Sequence, residues 1–207
     1  MQLLLPIEIL ATVAFAISGA MVGIEKKMDL LGVCVLGLTA SVGGGVLCDV
    51  ILGVTPPAAF RDPLFAVVAI AVSILVFIPA VRGALDREKK IYDVTLLLMD
   101  SVGLGLFTVI GVQTAFSVTE GRNYFLITFV GVLTGVGGGI LRDVLAGNTP
   151  YIFVRHFYAS ASIAGAWICA LLWDIAGSPA AMLTGAAAVL ILRLLAARYH
   201  WSLPKAR

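Results

Sequence analysis

The sequence predicts an all-α membrane protein with seven transmembrane helices, arranged as two inverted three-helix repeats plus a seventh helix. Three observations carry this. The 207 residues are 60% hydrophobic and 13% charged, with a mean hydropathy of +1.06, whereas a soluble domain is about 25% charged. The apolar residues fall in runs of roughly 20, the length of a membrane helix, and they do not alternate in polarity as barrel strands do. A glycine-rich segment of the first half recurs in the second. So few charges cannot cover a water-facing surface, which excludes a soluble enzyme and a disordered chain. A net charge of +2 leaves no basic footprint for nucleic acid.

The first run, Leu3–Ile24, opens with Met-Gln-Leu-Leu-Leu-Pro-Ile-Glu. That start has no basic n-region and no clear cleavage site, so it reads as a membrane helix and not as a cleaved signal. The remaining runs are Leu30–Leu52, Pro63–Val81, Val94–Phe116, Tyr124–Ala146, Phe157–Trp173 and Pro179–Leu195. Short connections leave no extramembrane domain. The expected organisation is one membrane domain over 1–207, divided into a first repeat (1–92), a second (93–176) and a seventh helix with a tail (177–207). Lys26, Lys27, Arg82, Arg87, Lys89, Lys90, Arg155, Arg193, Arg198, Lys205 and Arg207 fall on one side, against Arg61 and Arg122 on the other. The positive-inside rule then puts the N-terminus outside and the C-terminus in the cytoplasm. Trp173 and Trp201 sit near helix ends, as interfacial anchors do.

The repeat pairs Gly-Gly-Gly-Val-Leu-Cys-Asp-Val-Ile-Leu-Gly-Val-Thr-Pro at 43–56 with Gly-Gly-Gly-Ile-Leu-Arg-Asp-Val-Leu-Ala-Gly-Asn-Thr-Pro at 137–150, an offset of 94. Gly37 and Gly131, and Arg61 and Arg155, keep the same register. Three spans per unit mean that the second copy enters the membrane from the opposite side, an organisation known in secondary transporters. The triplets Gly43, Gly44, Gly45 and Gly137, Gly138, Gly139 lie inside spans two and five. Each glycine costs a helix about 1 kcal/mol against alanine, so the triplets are expected kinks or points of unwinding. Close helix packing is the alternative use of small residues, and it is the expected one for Gly19/Gly23 and Gly131/Gly135.

Each triplet is followed one helical turn later by an aspartate, Asp49 or Asp143. Arg142 precedes Asp143, while Cys48 holds the matching position in the first copy. Intramembrane charges are costly and mark function by default. These three residues are the expected pore or gate, and Glu8 and Asp100 are possible additional polar lining. The five groups sum to −3 when all are ionised, a lining that favours cations. The alternative is that Arg142 and the aspartates after the triplets form buried structural pairs, and that Glu8 and Asp100, close to the ends of their spans, reach the membrane interface.

Cys34, Cys48 and Cys169 are odd in number and lie in apolar runs, so no disulfide framework is expected. Their spacing from one another and from His156 and His200 offers no zinc site, and no tightly bound metal is expected. No His-Glu-x-x-His, Gly-x-Ser-x-Gly or Walker motif occurs, so neither enzyme activity nor a cofactor is expected.

The doubled Gly-Gly-Gly-x-Leu-x-Asp, the seven spans, the inverted halves and Phe15-Ala-Ile-Ser-Gly-Ala20 resemble the prokaryotic branch of the trimeric intracellular cation (TRIC) channel family, also labelled a glycine transporter domain family. The resemblance runs from about Leu5 to Leu195. It implies a homotrimer in the prokaryotic inner membrane, with an ion path through each protomer for potassium and other monovalent cations such as sodium. It places the kinks at the two triplets, matches Arg142 and Asp143 to the charged pair after the second triplet and matches Asp49 to the acid after the first. In the mechanism expected from these residues, Arg142 is a barrier or gate, held off the path by Asp49 or Asp143 when open. Many prokaryotic members have an arginine where this chain has Cys48, which leaves Arg142 as the sole candidate for a gating arginine. Membrane lipids are further expected partners, with Arg87, Lys89 and Lys90 as a basic contact. A secondary transporter of a small amino acid such as glycine remains the alternative, because an acid and a base together suit a zwitterion. A purely structural subunit is the third.

Overall fold

The computed structural model describes residues 4–85, 88–119, 123–154 and 157–201. Among these residues there are ten helices and no strand. In chain order they are α1 (Leu4–Glu25), α2 (Leu30–Ile51), α3 (Ala58–Arg61), α4 (Leu64–Phe77), α5 (Pro79–Leu85), α6 (Lys89–Val118), α7 (Tyr124–Leu145), α8 (Tyr151–Val154), α9 (Tyr158–Ala176) and α10 (Ser178–Arg198). Of the basic residues used above for orientation, Arg87, Arg122, Arg155, Lys205 and Arg207 lie outside the described residues, as does His156.

Six helices are long and apolar enough to cross a membrane: α1, α2, α6, α7, α9 and α10. The run Pro63–Val81 was expected as one span, and the structure divides it. α4 stops at Ile78, whose ψ of 132° leaves the helical region, and α5 begins at Pro79. Proline lacks an N–H and disfavours helical backbone in the residue before it. The 14 residues of α4 reach about 21 Å at 1.5 Å per residue, short of a hydrocarbon core of about 30 Å.

Local chemistry sets the ends of α2 and α7 in the same way. Each starts on a side-chain cap: Asp29 accepts from the Gly32 N–H at 2.8 Å, and Asn123 from the Leu126 N–H at 3.1 Å. Each stops at a glycine of positive φ, Gly53 at 72° and Gly147 at 68°. Val54 N–H then donates to the Asp49 carbonyl and Asn148 N–H to the Asp143 carbonyl, both at 2.8 Å. This is a Schellman closure, which satisfies carbonyls that a helix end would otherwise orphan.

The centre of the molecule is α1, α2, α6 and α7. α1 packs on α2, α6 on α7, α2 on α7 and α1 on α6. α4 covers α1 and α2, while the α9–α10 hairpin, turned at Gly177, covers α6. Large apolar side chains such as Leu31, Phe60, Phe125, Ile175 and Leu183 point outward, as lipid-facing residues do.

The glycine triplets do not unwind their helices, since α2 and α7 each run unbroken through them. Their missing side chains let the two helices touch. A methyl on Gly44 would strike the Thr134 carbonyl, and one on Gly138 the Ala40 carbonyl. Gly43 faces Leu141, and Gly137 faces Leu47 at 3.0 Å. The contacts therefore run in opposite chain directions. Each also exchanges into another under the offset of 94: Gly44 with Gly138, Ala40 with Thr134, Gly43 with Gly137, Leu47 with Leu141. The other small-residue pairs pack as expected. Gly19 abuts Gly37 on α2, and Gly131 and Gly135 abut Thr108 on α6.

Candidate functional site

Beside this crossing lies a buried charge cluster built on Arg142, which is 0% exposed. Its Nε–H donates to Asp143 Oδ1 at 2.8 Å, and its Nη1 donates to Asp100 Oδ1 at 2.8 Å and to Ser18 Oγ. The Arg142 guanidinium also lies 5.1 Å from the centre of the Tyr151 ring. Asp100 takes a second cation, since its Oδ2 is 3.5 Å from Arg193 Nη2. Arg193 stacks over the Tyr158 ring at 4.7 Å, and Tyr158 Oη reaches Asp100 Oδ1 at 3.4 Å. Helices α1, α6, α7, α9 and α10 and the short α8 all contribute. Two arginines and two aspartates make the cluster formally neutral, the arrangement that lets charge persist away from water.

Asp143 has a further task. Its Oδ2 accepts the Tyr151 N–H at 2.9 Å and so pins the start of α8. Asp49 does the same in the first half, where its Oδ2 accepts the Ala58 N–H of α3 at 2.7 Å. The two aspartates thus tie each long helix to the short one that follows.

Asp49 otherwise belongs to a different place. It lines a cavity of about 120 Å³ with Glu8 and Thr12 of α1 and Ser41, Gly45 and Cys48 of α2. No lysine, arginine or histidine is among the lining residues.

The expected site residues therefore divide into two groups. Arg142, Asp143 and Asp100 come together, and Asp49 and Glu8 come together. Of the two acids expected to hold Arg142, Asp49 or Asp143, the contacts give Asp143, joined by Asp100 and Ser18. Equivalent residues on oppositely running helices lie on opposite sides of the crossing, so Asp49 and Asp143 cannot share one arginine. Arg193 is a correction. It was expected among the charges at the membrane face, and it is 4% exposed beside Asp100. Its signal was its position inside an apolar run, where an arginine calls for a buried acid. Ser18 and Tyr158 were missed as site residues. Ser18 did lie in the Phe15–Ala20 segment, but nothing in spacing marked Tyr158. Among the described residues no group of three or more His, Cys, Asp and Glu is placed to hold a metal.

Comparison with known proteins extends this picture. A family profile described as Glycine transporter matches residues 5–80 and again 97–174. A membrane protein of Deinococcus radiodurans is 37% identical over 203 residues, covering 97% of this chain and 91% of the relative. The inner membrane protein YadS of Escherichia coli K12 is 36% identical, covering 96% of this chain and 93% of the relative. A solved TRIC cation channel is 35% identical, with a TM-score of 0.83 over 97% of this chain and 96% of that one. The TRIC orthologue from Rhodobacter sphaeroides is 29% identical, with a TM-score of 0.87 over 97% of this chain and all of that one. This chain is thus a multi-pass membrane protein with the TRIC channel fold, and it belongs to the TRIC family, whose profile is the one described as Glycine transporter.

Proposed function

We propose that the protein is a passive channel for monovalent cations, chiefly potassium and also sodium. It works as a homotrimer in the prokaryotic inner membrane, with one path in each protomer along α2 and α7. The N-terminus is outside and the C-terminus cytoplasmic. The similarity to solved TRIC cation channels supports the reading. The observation that carries it is the pair of polar sites flanking the α2–α7 crossing: a partly open, acid-lined cavity at Asp49 and Glu8, and a buried, arginine-filled site at Asp100 and Asp143.

In this mechanism Asp49 and Glu8 attract cations and replace part of their hydration. Arg142, drawn to Asp100 and Asp143, closes the path on the other side of the crossing. Opening requires that it shift, and the glycine triplets give α2 and α7 the freedom to bend as it does. The exchange of contacts under the offset of 94 supports two inverted halves, 1–92 and 93–176, with α10 in the remaining segment, 177–207. α4 and α5 together then make the third of seven crossings. Lys89 and Lys90, exposed at the start of α6, meet anionic lipid together with Arg87, which lies outside the described residues.

The transporter alternative needs an acid and a base free to clasp a zwitterion. Arg142 is instead already bound to two carboxylates. Potassium flux in proteoliposomes tests the proposal. Arg142→Gln should change conductance or open probability, and unchanged currents would remove Arg142 from the gate.

A further inference from the structure

We propose that Arg193 is a positioning residue of the gate: it takes over the charge of Asp100 when Arg142 leaves, so that Arg142 can move without baring a buried carboxylate. This rests on the channel reading for the movement of Arg142.

The four charges of the buried cluster belong to two groups of helices. Arg142 and Asp143 are adjacent on α7, and Arg142 Nε and Nη2 both lie 2.8 Å from Asp143 Oδ1. That pair travels with its own helix. Arg142 Nη1 reaches instead across to Asp100 of α6 at 2.8 Å and to Ser18 of α1. A shift of the guanidinium away from α6 breaks those two bonds and keeps the contact with Asp143. Asp100 then stays behind, 0% exposed. Taking one partner from a buried ion pair leaves an uncompensated charge, which is strongly destabilising. A gate built on Arg142 and Asp100 alone would be locked shut.

Arg193 supplies the missing charge. It is 4% exposed and comes from α10, which packs on α6 and α9. Its Nη2 stands 3.5 Å from Asp100 Oδ2, beyond the roughly 2.7–2.9 Å of a charge-assisted hydrogen bond. Asp100 Oδ2 accepts no hydrogen bond from the described residues. One oxygen of the carboxylate is thus engaged by Arg142, and the other faces a cation that falls short by about 0.6–0.8 Å. The Tyr158 ring carries that cation. Arg193 lies over its face, 4.7 Å from the centre, and such attraction persists to about 6 Å, so the guanidinium can slide without losing it. Tyr158 is itself fixed: its Oη is 3.4 Å from Asp100 Oδ1 and 2.8 Å from where a methyl on Gly139 would lie. When Arg142 withdraws, closure of Arg193 onto Oδ2 leaves two neutral pairs, Arg142–Asp143 on α7 and Arg193–Asp100 between α10 and α6. The step bares no charge inside the membrane.

Two measurements on the whole protein test this. Reversible unfolding in mixed micelles compares wild type, Arg142→Gln, Arg193→Gln and the double variant. Loss of Arg193 should weaken the folding equilibrium about tenfold more in the Arg142→Gln background than in wild type, a coupling of the size found between contacting residues. Equal losses in the two backgrounds would overturn the proposal. Single-channel recording in planar bilayers follows. Arg193→Gln should lower open probability about tenfold at unchanged unitary conductance, and Arg193→Lys should restore most of it. An open probability that Arg193→Gln leaves unchanged or raises would overturn the proposal, since a residue that only neutralises the resting cluster has no part in opening. Should the double variant fail to fold, the two Arg193 variants decide. Silent wild-type bilayers with the coupling intact refute the channel reading and leave Arg193 as the second counter-charge of Asp100. Wild-type currents whose open probability ignores Arg193→Gln refute this inference alone.

Discussion

Gly44 and Gly45 are neighbours in sequence, and replacing each with alanine should have opposite effects. Alanine in a helix gains about 0.8–1 kcal/mol over glycine from propensity alone. At Gly45 nothing lies within 4 Å of the added methyl, so Gly45→Ala should keep that gain. At Gly44 the methyl would meet the Thr134 carbonyl and stand 3.2 Å from its carbon and 3.3 Å from the Gly138 N. Backbone cannot rotate aside as a side chain can, so α2 and α7 must separate. Overpacking of this kind costs about 1–3 kcal/mol. Both changes gain the same propensity, so the two variants should differ by the overpacking cost alone, about 1–3 kcal/mol, or roughly 5- to 140-fold in the folding equilibrium at 1.4 kcal/mol per decade. Reversible unfolding in mixed micelles with increasing dodecyl sulfate, followed by circular dichroism, reads that difference directly. Equal effects at the two positions, or a larger loss at Gly45, would refute the view that the triplet serves as a contact surface.

Arg142→Ala should destabilise the fold by about 3–5 kcal/mol in the same assay, since it leaves two buried carboxylates facing each other. Arg193→Leu should cost less, about 1–3 kcal/mol, because Arg142 still pairs with Asp100; a loss as large as that of Arg142→Ala would contradict the placement of Arg142 at the centre of the cluster. Gly138→Ala should match Gly44→Ala, because the Ala40 carbonyl blocks it as the Thr134 carbonyl blocks Gly44, and a mild effect at Gly138 alone would break the equivalence of the two halves. A small cationic methanethiosulfonate should label Cys48 well before Cys169, as mass spectrometry would report: Cys48 lines the cavity, whereas Cys169 is 0% exposed and packs beneath Gly185. Equal rates would mean that the cavity does not admit solutes.

Much of this arrangement was legible in the sequence because the physics behind it is local or repetitive. The membrane helices follow from apolar run length, and the caps of α2 and α7 follow from Asp29, Asn123, Gly53 and Gly147. Arg142, Asp143 and Asp100 were legible as charges inside apolar runs, but their pairing was not, because neighbours on a helix do not face each other and Asp100 lay near enough to a span end to reach the interface. What resisted reading was relative direction. The offset of 94 aligns Asp49 with Asp143 and left both open as the acid that holds Arg142; only the opposed contacts of α2 and α7, which put them on different sides of the crossing, select Asp143. The glycine triplets were expected as weak points, since propensity is the only effect a single helix reveals. Their use as a contact surface depends on a partner more than 80 residues away in the chain. Arg193 was hidden because its charge also suited the membrane face, and only the fold of α10 against α6 brings it to Asp100.

Passive cation conduction is what the proposed function requires of this fold. The most direct test is the reversal potential of currents from the purified protein in planar bilayers under opposed potassium and chloride gradients, with and without glycine. Discrete currents that reverse near the potassium potential and do not depend on glycine are expected. Silent bilayers together with saturable glycine uptake into liposomes would contradict passive conduction and assign the same fold to a transporter.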